Sequence, residues 1–298
     1  MSRLLVIGNG FDLSFGLKTS YSHFVESSQF QQLLSNKSLL ASRIQESKIK
    51  NNWVDLETEL INYANQKKWS TDLMINDFIN EFRDLKIQLL SFLNTALDEL
   101  PLASLPYILK SEPKQIAGAF KIFRFGRSVI SKNNESDWIE SIPNETYSLN
   151  YTNTLERVGW RPSLTGGGLY TNLHGTLHED NIIFGVNDGS VGVDFSFLLK
   201  SAHPNYKSGA LLEKIKKYQE IDFFGCSFGS TDDDQFAPVF RHLLIDGINM
   251  KSLMFCIESE FHYQQLIKRL VGLTNNRLAL LRRHELLFYD SSRNKLML

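Results

Sequence analysis

A run of four apolar residues, Leu4-Leu5-Val6-Ile7, stops abruptly on Gly8-Asn9-Gly10 and passes into Phe11-Asp12-Leu13. So short and continuous a run, with β-branched members, fits a strand buried on both faces of a parallel sheet. Two glycines one residue apart let the backbone turn sharply and leave no Cβ between it and a ligand, so amides at a following helix N-terminus can face a phosphate. A dinucleotide fingerprint would place a third glycine three positions after the second, but position 13 is Leu and the next glycine is Gly16. By itself the turn is equally a plain strand-to-helix link. Asp12 beside it, and the polar set Lys18, Thr19, Ser20 and Tyr21 just beyond, favour a ligand.

Further along, Phe24, Phe30, Leu33, Leu34, Leu39, Leu40 and Ile44 recur at spacings near three and four, which predicts helices. In Trp53-Val54-Asp55-Leu56-Glu57-Thr58-Glu59-Leu60 the residues Trp53, Leu56 and Leu60 share a face, and the acids Asp55, Glu57 and Glu59 read as solvated helix surface. A long amphipathic helix is expected over 72–100, stopped by Pro101, which removes a donor and clashes with the preceding turn. Residues 22–135 are therefore expected to form a helical insertion after the first strand. No Gly/Ser-rich linker sets them off as an independent domain.

Beyond residue 135 the pattern changes to strands and loops. Strands are predicted at 145–149, 169–173, 181–184, 221–224, 253–257 and 286–289, with helices over 211–219 and 264–271 and another carrying Phe236, Val239, Phe240, Leu243 and Leu244. The fold class is α/β, a Rossmann-like and mainly parallel sheet formed by 1–21 and 136–298. In such a sheet the carboxyl ends of the strands lie along one edge, and ligands bind in the crevice there. Glycines or polar residues follow the strands at Gly8, Asn150, His174, Gly185 and Gly225, so motifs far apart in sequence should converge on that edge.

Each of these positions has a chemical use and a plainer alternative. His174, followed by Gly175, suits a general base or an orienting group, whereas a lone histidine is often structural. Asn150 can hold a sugar hydroxyl or a water through its amide, or simply cap a turn beside Asn153. Ser227 and the acids Asp232, Asp233 and Asp234 can accept from ribose hydroxyls, or cap the next helix. His178 is four positions from His174, yet the intervening Gly175 spoils a helical ligand pair, so no metal is expected. A nucleophile at Ser227 or Cys226 lacks the surrounding pattern of a hydrolase elbow.

Whole-chain quantities narrow the field. The 298 residues can bury a substantial core, and 42% hydrophobic with 22% charged residues is ordinary for a globular protein. A formal net charge of -1 gives nucleic acid or an anionic membrane no global attraction. Two cysteines, Cys226 and Cys256, build neither a disulfide framework nor a four-thiolate zinc site, which fits a reducing, cytoplasmic setting. The first apolar run is too short for a signal peptide, and no later run reaches the roughly 18 residues of a membrane span.

Six stretches in order, IGNGFDLSFGLKTSY, WVDLETEL, SLNYTNTLE, LHG, IIFG and FFGCSFGSTDDD, resemble the AbiH family of bacteriophage abortive-infection proteins. Their arrangement is also similar, more distantly, to the sirtuin-like NAD-binding fold. That resemblance implies NAD as ligand or substrate, with Gly8, Asn9, Gly10 and Asp12 approaching its phosphates and ribose. It implies that Asn150 and His174 flank the nicotinamide ribose as catalytic groups, and that Gly225 and Ser227 hold the adenosine half, with Asp232 beside them as a further cofactor-binding candidate. Thr152, also assigned to cofactor binding, stands where sirtuins carry an acid, and two cysteines cannot make the zinc module of the sirtuin deacylases. The sirtuin-like proteins of phage defence that hydrolyse NAD dispense with that module, so the resemblance implies an NAD glycohydrolase. A non-catalytic nucleotide sensor working through a homo-oligomer or a defence-system partner is the alternative, and a nuclease finds no metal constellation in this sequence.

Overall fold

The computed structural model describes residues 2–51, 55–66, 69, 71–99, 143–157, 169–177, 181–245, 250–290 and 295–297. The chain begins with β1 (Arg3–Ile7) and α1 (Asn9–Ser14), then α2 (Tyr21–Glu26), α3 (Ser28–Ser35), α4 (Leu39–Asn51), α5 (Leu56–Ala64) and α6 (Asp72–Asp98). β2 (Glu145–Ser148), α7 (Thr154–Arg157), β3 (Leu169–Asn172), α8 (Ala210–Ile215) and β4 (Glu220–Phe224) follow. The remainder is α9 (Asp233–Ile245), β5 (Ser252–Ile257), α10 (Glu260–Leu273), α11 (Leu278–Leu281), β6 (Glu285–Asp290) and β7 (Lys295–Met297).

Two compact units emerge. The first comprises Met1–Gly16, Pro101–Leu173 and Ser208–Leu298, and the second Leu17–Leu100 and His174–Lys207. The second unit overlaps the expected insertion over 22–100 and also takes in 174–207, which the sequence had grouped with the sheet. The tryptophan at position 53 and the stretch 101–135 of that insertion lie outside the described residues.

In the first unit seven strands form one sheet in the order β3-β2-β1-β4-β5-β6-β7. Six are parallel, and only β7 runs antiparallel, against β6. β1 occupies the middle because its residues are apolar on both faces. Leu4 and Val6 join Ile221, Phe223, Leu253 and Phe255 in a core covered by α8, α9 and α10. Leu5 and Ile7 point the other way, packing with Phe11 of α1, Phe224 and Met254. Each fully buried Leu, Ile or Phe stabilises the fold by about 1.5–3 kcal/mol. One ion pair sits within this sheet: Arg3 donates to Asp222 across the β1–β4 pair, with both side chains almost wholly buried.

Helix starts in the second unit follow local side-chain chemistry. Ser20, Ser27, Asp55 and Thr71 each accept from a backbone amide in the first turn of the helix that follows, satisfying donors that have no partner inside the helix. Its apolar interior includes Phe24, Phe30, Leu40, Leu60 and Leu89. An aromatic cluster adds the rings of Tyr63 and Trp69, 4.8 and 5.0 Å from Phe78, with Phe195 at 5.9 Å.

Two expectations are corrected here. Residues 181–184 do not form a strand; Ile182, Ile183 and Phe184 are buried in the second unit, where the nearest bridge is the isolated Val186–Leu199 pair. Nor are Glu57 and Glu59 solvated surface: both are buried, Glu57 with its carboxylate 3.8 Å from the ammonium of buried Lys200, and Glu59 accepting from Ser47 at 2.6 Å. A buried acid of this kind requires such partners, because an isolated ionised carboxylate is costly to take out of water. Among the described residues no helix is long and apolar enough to cross a membrane.

Candidate functional site

Strand connection reverses direction around β1, which is flanked by β2 on one side and β4 on the other. In an open parallel sheet this is the topological switch point, where the loops at the carboxyl ends diverge and leave a crevice. The loops leaving β1, β2 and β4 carry Gly8 to Asp12, Asn150 to Thr154, and Gly225 to Asp232.

The first and third of these loops are pressed together, backbone on backbone. Gly8 N donates to Phe224 O at 2.9 Å and Gly10 N donates to Gly225 O at 3.0 Å. A Cβ on Gly10 would fall 2.6 Å from Gly225 Cα, and one on Gly225, whose φ is +66°, would fall 2.3 Å from Phe11 N. Glycine is therefore required here by the contact between the two turns and by a left-handed backbone. The Gly8 amide is spent on β4 and the Gly10 amide on the turn that follows it. Asn9, between them, is exposed.

Asp12 follows on α1 and is 1% exposed. One of its carboxylate oxygens accepts from Asn150 Nδ2 at 3.1 Å and the other accepts from the Thr152 hydroxyl. The register Ile7–Ser148 sets the two chain segments side by side, which is why residues so far apart in sequence meet. Burial raises the Asp12 carboxyl to about 6, while Thr152, Thr154 and Asn150 pull it the other way. Asn150 is itself buried, its backbone N donates to Ser148 Oγ at 3.1 Å, and among the described residues its Oδ1 has no hydrogen-bond partner. Thr154, 1% exposed, completes this polar pocket, and sequence reading passed it over. The alternate spacing of Asn150, Thr152 and Thr154 was the available signal.

On the β4 side Ser227 is exposed and Asp232 half-buried. Cys226 lies with Sγ 3.6 Å from Val6 O and 3.7 Å from Phe224 O, and burial pushes its thiol up, away from the thiolate a nucleophile needs. Phe228 adopts a left-handed φ of 52° while buried among Phe223, Phe236 and Phe240. Its carbonyl accepts from Arg269 of α10, which also pairs with Asp233. Nothing in the sequence near Arg269 announces this clamp.

His174 belongs to the second unit, where it is 4% exposed and its carbonyl accepts from Ile183 N at 2.8 Å. A Cβ on Gly175 would meet Asn181 O at 2.2 Å, so this glycine admits a close approach of the Asn181 backbone. His178 lies outside the described residues. Among those described, no group of three or more His, Cys, Asp or Glu side chains is placed to hold a metal ion.

Sheet order and polar switch point together define a Rossmann-like α/β protein. A family model, described as bacteriophage abortive infection AbiH, matches residues 4–252. The chain belongs to the AbiH family, and its role lies in abortive infection by phage. No curated protein and no solved structure matches it.

Proposed function

We propose that this AbiH protein binds NAD at the carboxyl edge of β1, β2 and β4 and hydrolyses the nicotinamide–ribose bond. One observation carries the reading: the buried Asn150 amide at the switch point, whose Oδ1 has no hydrogen-bond partner among the described residues. A buried acceptor without a donor costs about 1–3 kcal/mol, so a ligand hydroxyl or a water reaching it gains that much. The strand order supports a dinucleotide, because nucleotides bind where such sheets reverse. Asn150 would hold a ribose hydroxyl or keep the attacking water in line as positive charge develops on the sugar. The diphosphate would lie against the shape of the paired glycine turns, whose Gly8 and Gly10 amides are already donated. Ser227 and Asp232 would take the adenosine half, with Thr152 beneath the ribose. His174 is the proposed base, on the strength of the family resemblance.

Incubating the purified protein with NAD and following nicotinamide release tests this. The parent is expected to release nicotinamide, and Asn150→Ala and His174→Ala each to lose about 100-fold or more in rate while calorimetry still detects NAD. Binding without release by the parent would replace the hydrolase with a nucleotide sensor, and no binding would remove NAD from the site.

A further inference from the structure

The acid next to the first glycine turn was expected to approach the ligand. It is enclosed, at 1% exposure, and its two oxygens are engaged by Asn150 Nδ2 and the Thr152 hydroxyl. A carboxylate has no proton to give, so an ionised Asp12 can accept only from the nitrogen end of the Asn150 amide. The other end, Oδ1, is then left without a partner. We infer that Asp12 is a positioning residue that decides which end of the Asn150 amide is offered to the ligand: as a carboxylate it holds Nδ2 and leaves Oδ1 free to accept a hydroxyl of ribose or water.

This step rests on the hydrolase reading above and adds a device to it. Protonated, Asp12 can donate, and the Asn150 amide can accept that proton only by offering Oδ1 in place of Nδ2. The amide would then turn over and present N–H groups where a hydroxyl donor expects an oxygen. The proton moves only between solvent and the carboxyl, and no bond to carbon changes. Among the described residues the groups that set the ionisation of Asp12 are neutral: burial opposes the charge, and Thr152, Thr154 and Asn150 favour it. The change therefore belongs to the slightly acid range. Burial has the largest effect on where that range lies, and Thr152, the strongest of the three supporters, pulls it down.

Two measurements test the inference, one without any ligand. In protein labelled at asparagine, the Asn150 side-chain amide resonances are followed by NMR from pH 4.5 to 8. They should titrate with a midpoint near 6 in the parent, at a higher pH in Thr152→Val, and not at all in Asp12→Asn. Resonances that stay flat in the parent, or titrate unchanged in Asp12→Asn, overturn the positioning role. In the second measurement, nicotinamide release should rise through the same midpoint in the parent, and Asp12→Asn should lose about 100-fold in kcat with a flat pH profile. Adding Asp12→Asn to Asn150→Ala should cost little more, since the two act as a unit. A further full loss in that double variant overturns the coupling. A parent that titrates by NMR yet releases no nicotinamide overturns the hydrolase reading and leaves the Asp12–Asn150 arrangement standing.

Discussion

Asp12 costs the folded state free energy whenever it is ionised, because burial is the largest influence on it and raises its carboxyl from 3.8 to about 6. A folded pKa above the unfolded one means that the native state binds more protons between those values. Stability contributed by this group is therefore fully present below pH 3.8, falls as pH rises toward 6, and is level above that. Asp12→Asn removes the dependence, so its melting temperature at pH 7 should equal or exceed the parent's, while the two converge as pH falls toward 4. Thermal melts at a series of pH values check this; a variant that melts well below the parent at pH 7 would show that the carboxylate supports the fold. A residue retained at a cost to stability is what a functional site is expected to contain.

The paired glycine turns after β1 and β4 make the next expectation. Gly225→Ala places a Cβ 2.3 Å from Phe11 N in a backbone with φ of +66°, so strain and collision add. The loss should be at least about 2 kcal/mol, read as a lower denaturant midpoint with an unchanged slope. Strands β1, β5 and β6 could be read from sequence because each carries a near-continuous apolar run, while β2, β3 and β4 were expected although polar residues interrupt theirs. The run at Ile182 to Phe184 has the same appearance and is buried without a sheet, since periodicity alone cannot tell the two apart. β7, three residues long, carries too little pattern to find. Gly8, Gly10, Asn150 and Gly225 announced themselves at strand ends. The bond of Asp12 to Asn150 and the burial of Glu57 with Lys200 depend on partners remote in the chain, which no local window contains.

Membership of the AbiH family sets the proposed chemistry inside an infected cell. Cells making the parent protein should lose most of their NAD after phage infection, and cells making Asn150→Ala should keep it and lose protection. Extracted NAD measured through one infection cycle distinguishes the outcomes, and protection with NAD intact would point to the sensor. The position of β1 matters here in another way. It is made before both strands that flank it, and those strands begin only at Glu145 and Glu220. At about 5–20 residues per second, roughly 10–40 s pass between synthesis of β1 and of β4. Until then the Asn150 loop has no closed sheet beside it and the glycine turns have nothing to lock against. A ribosome stalled midway therefore releases a fragment without the crevice, and whatever the crevice binds can be met only by chains whose translation has passed β4.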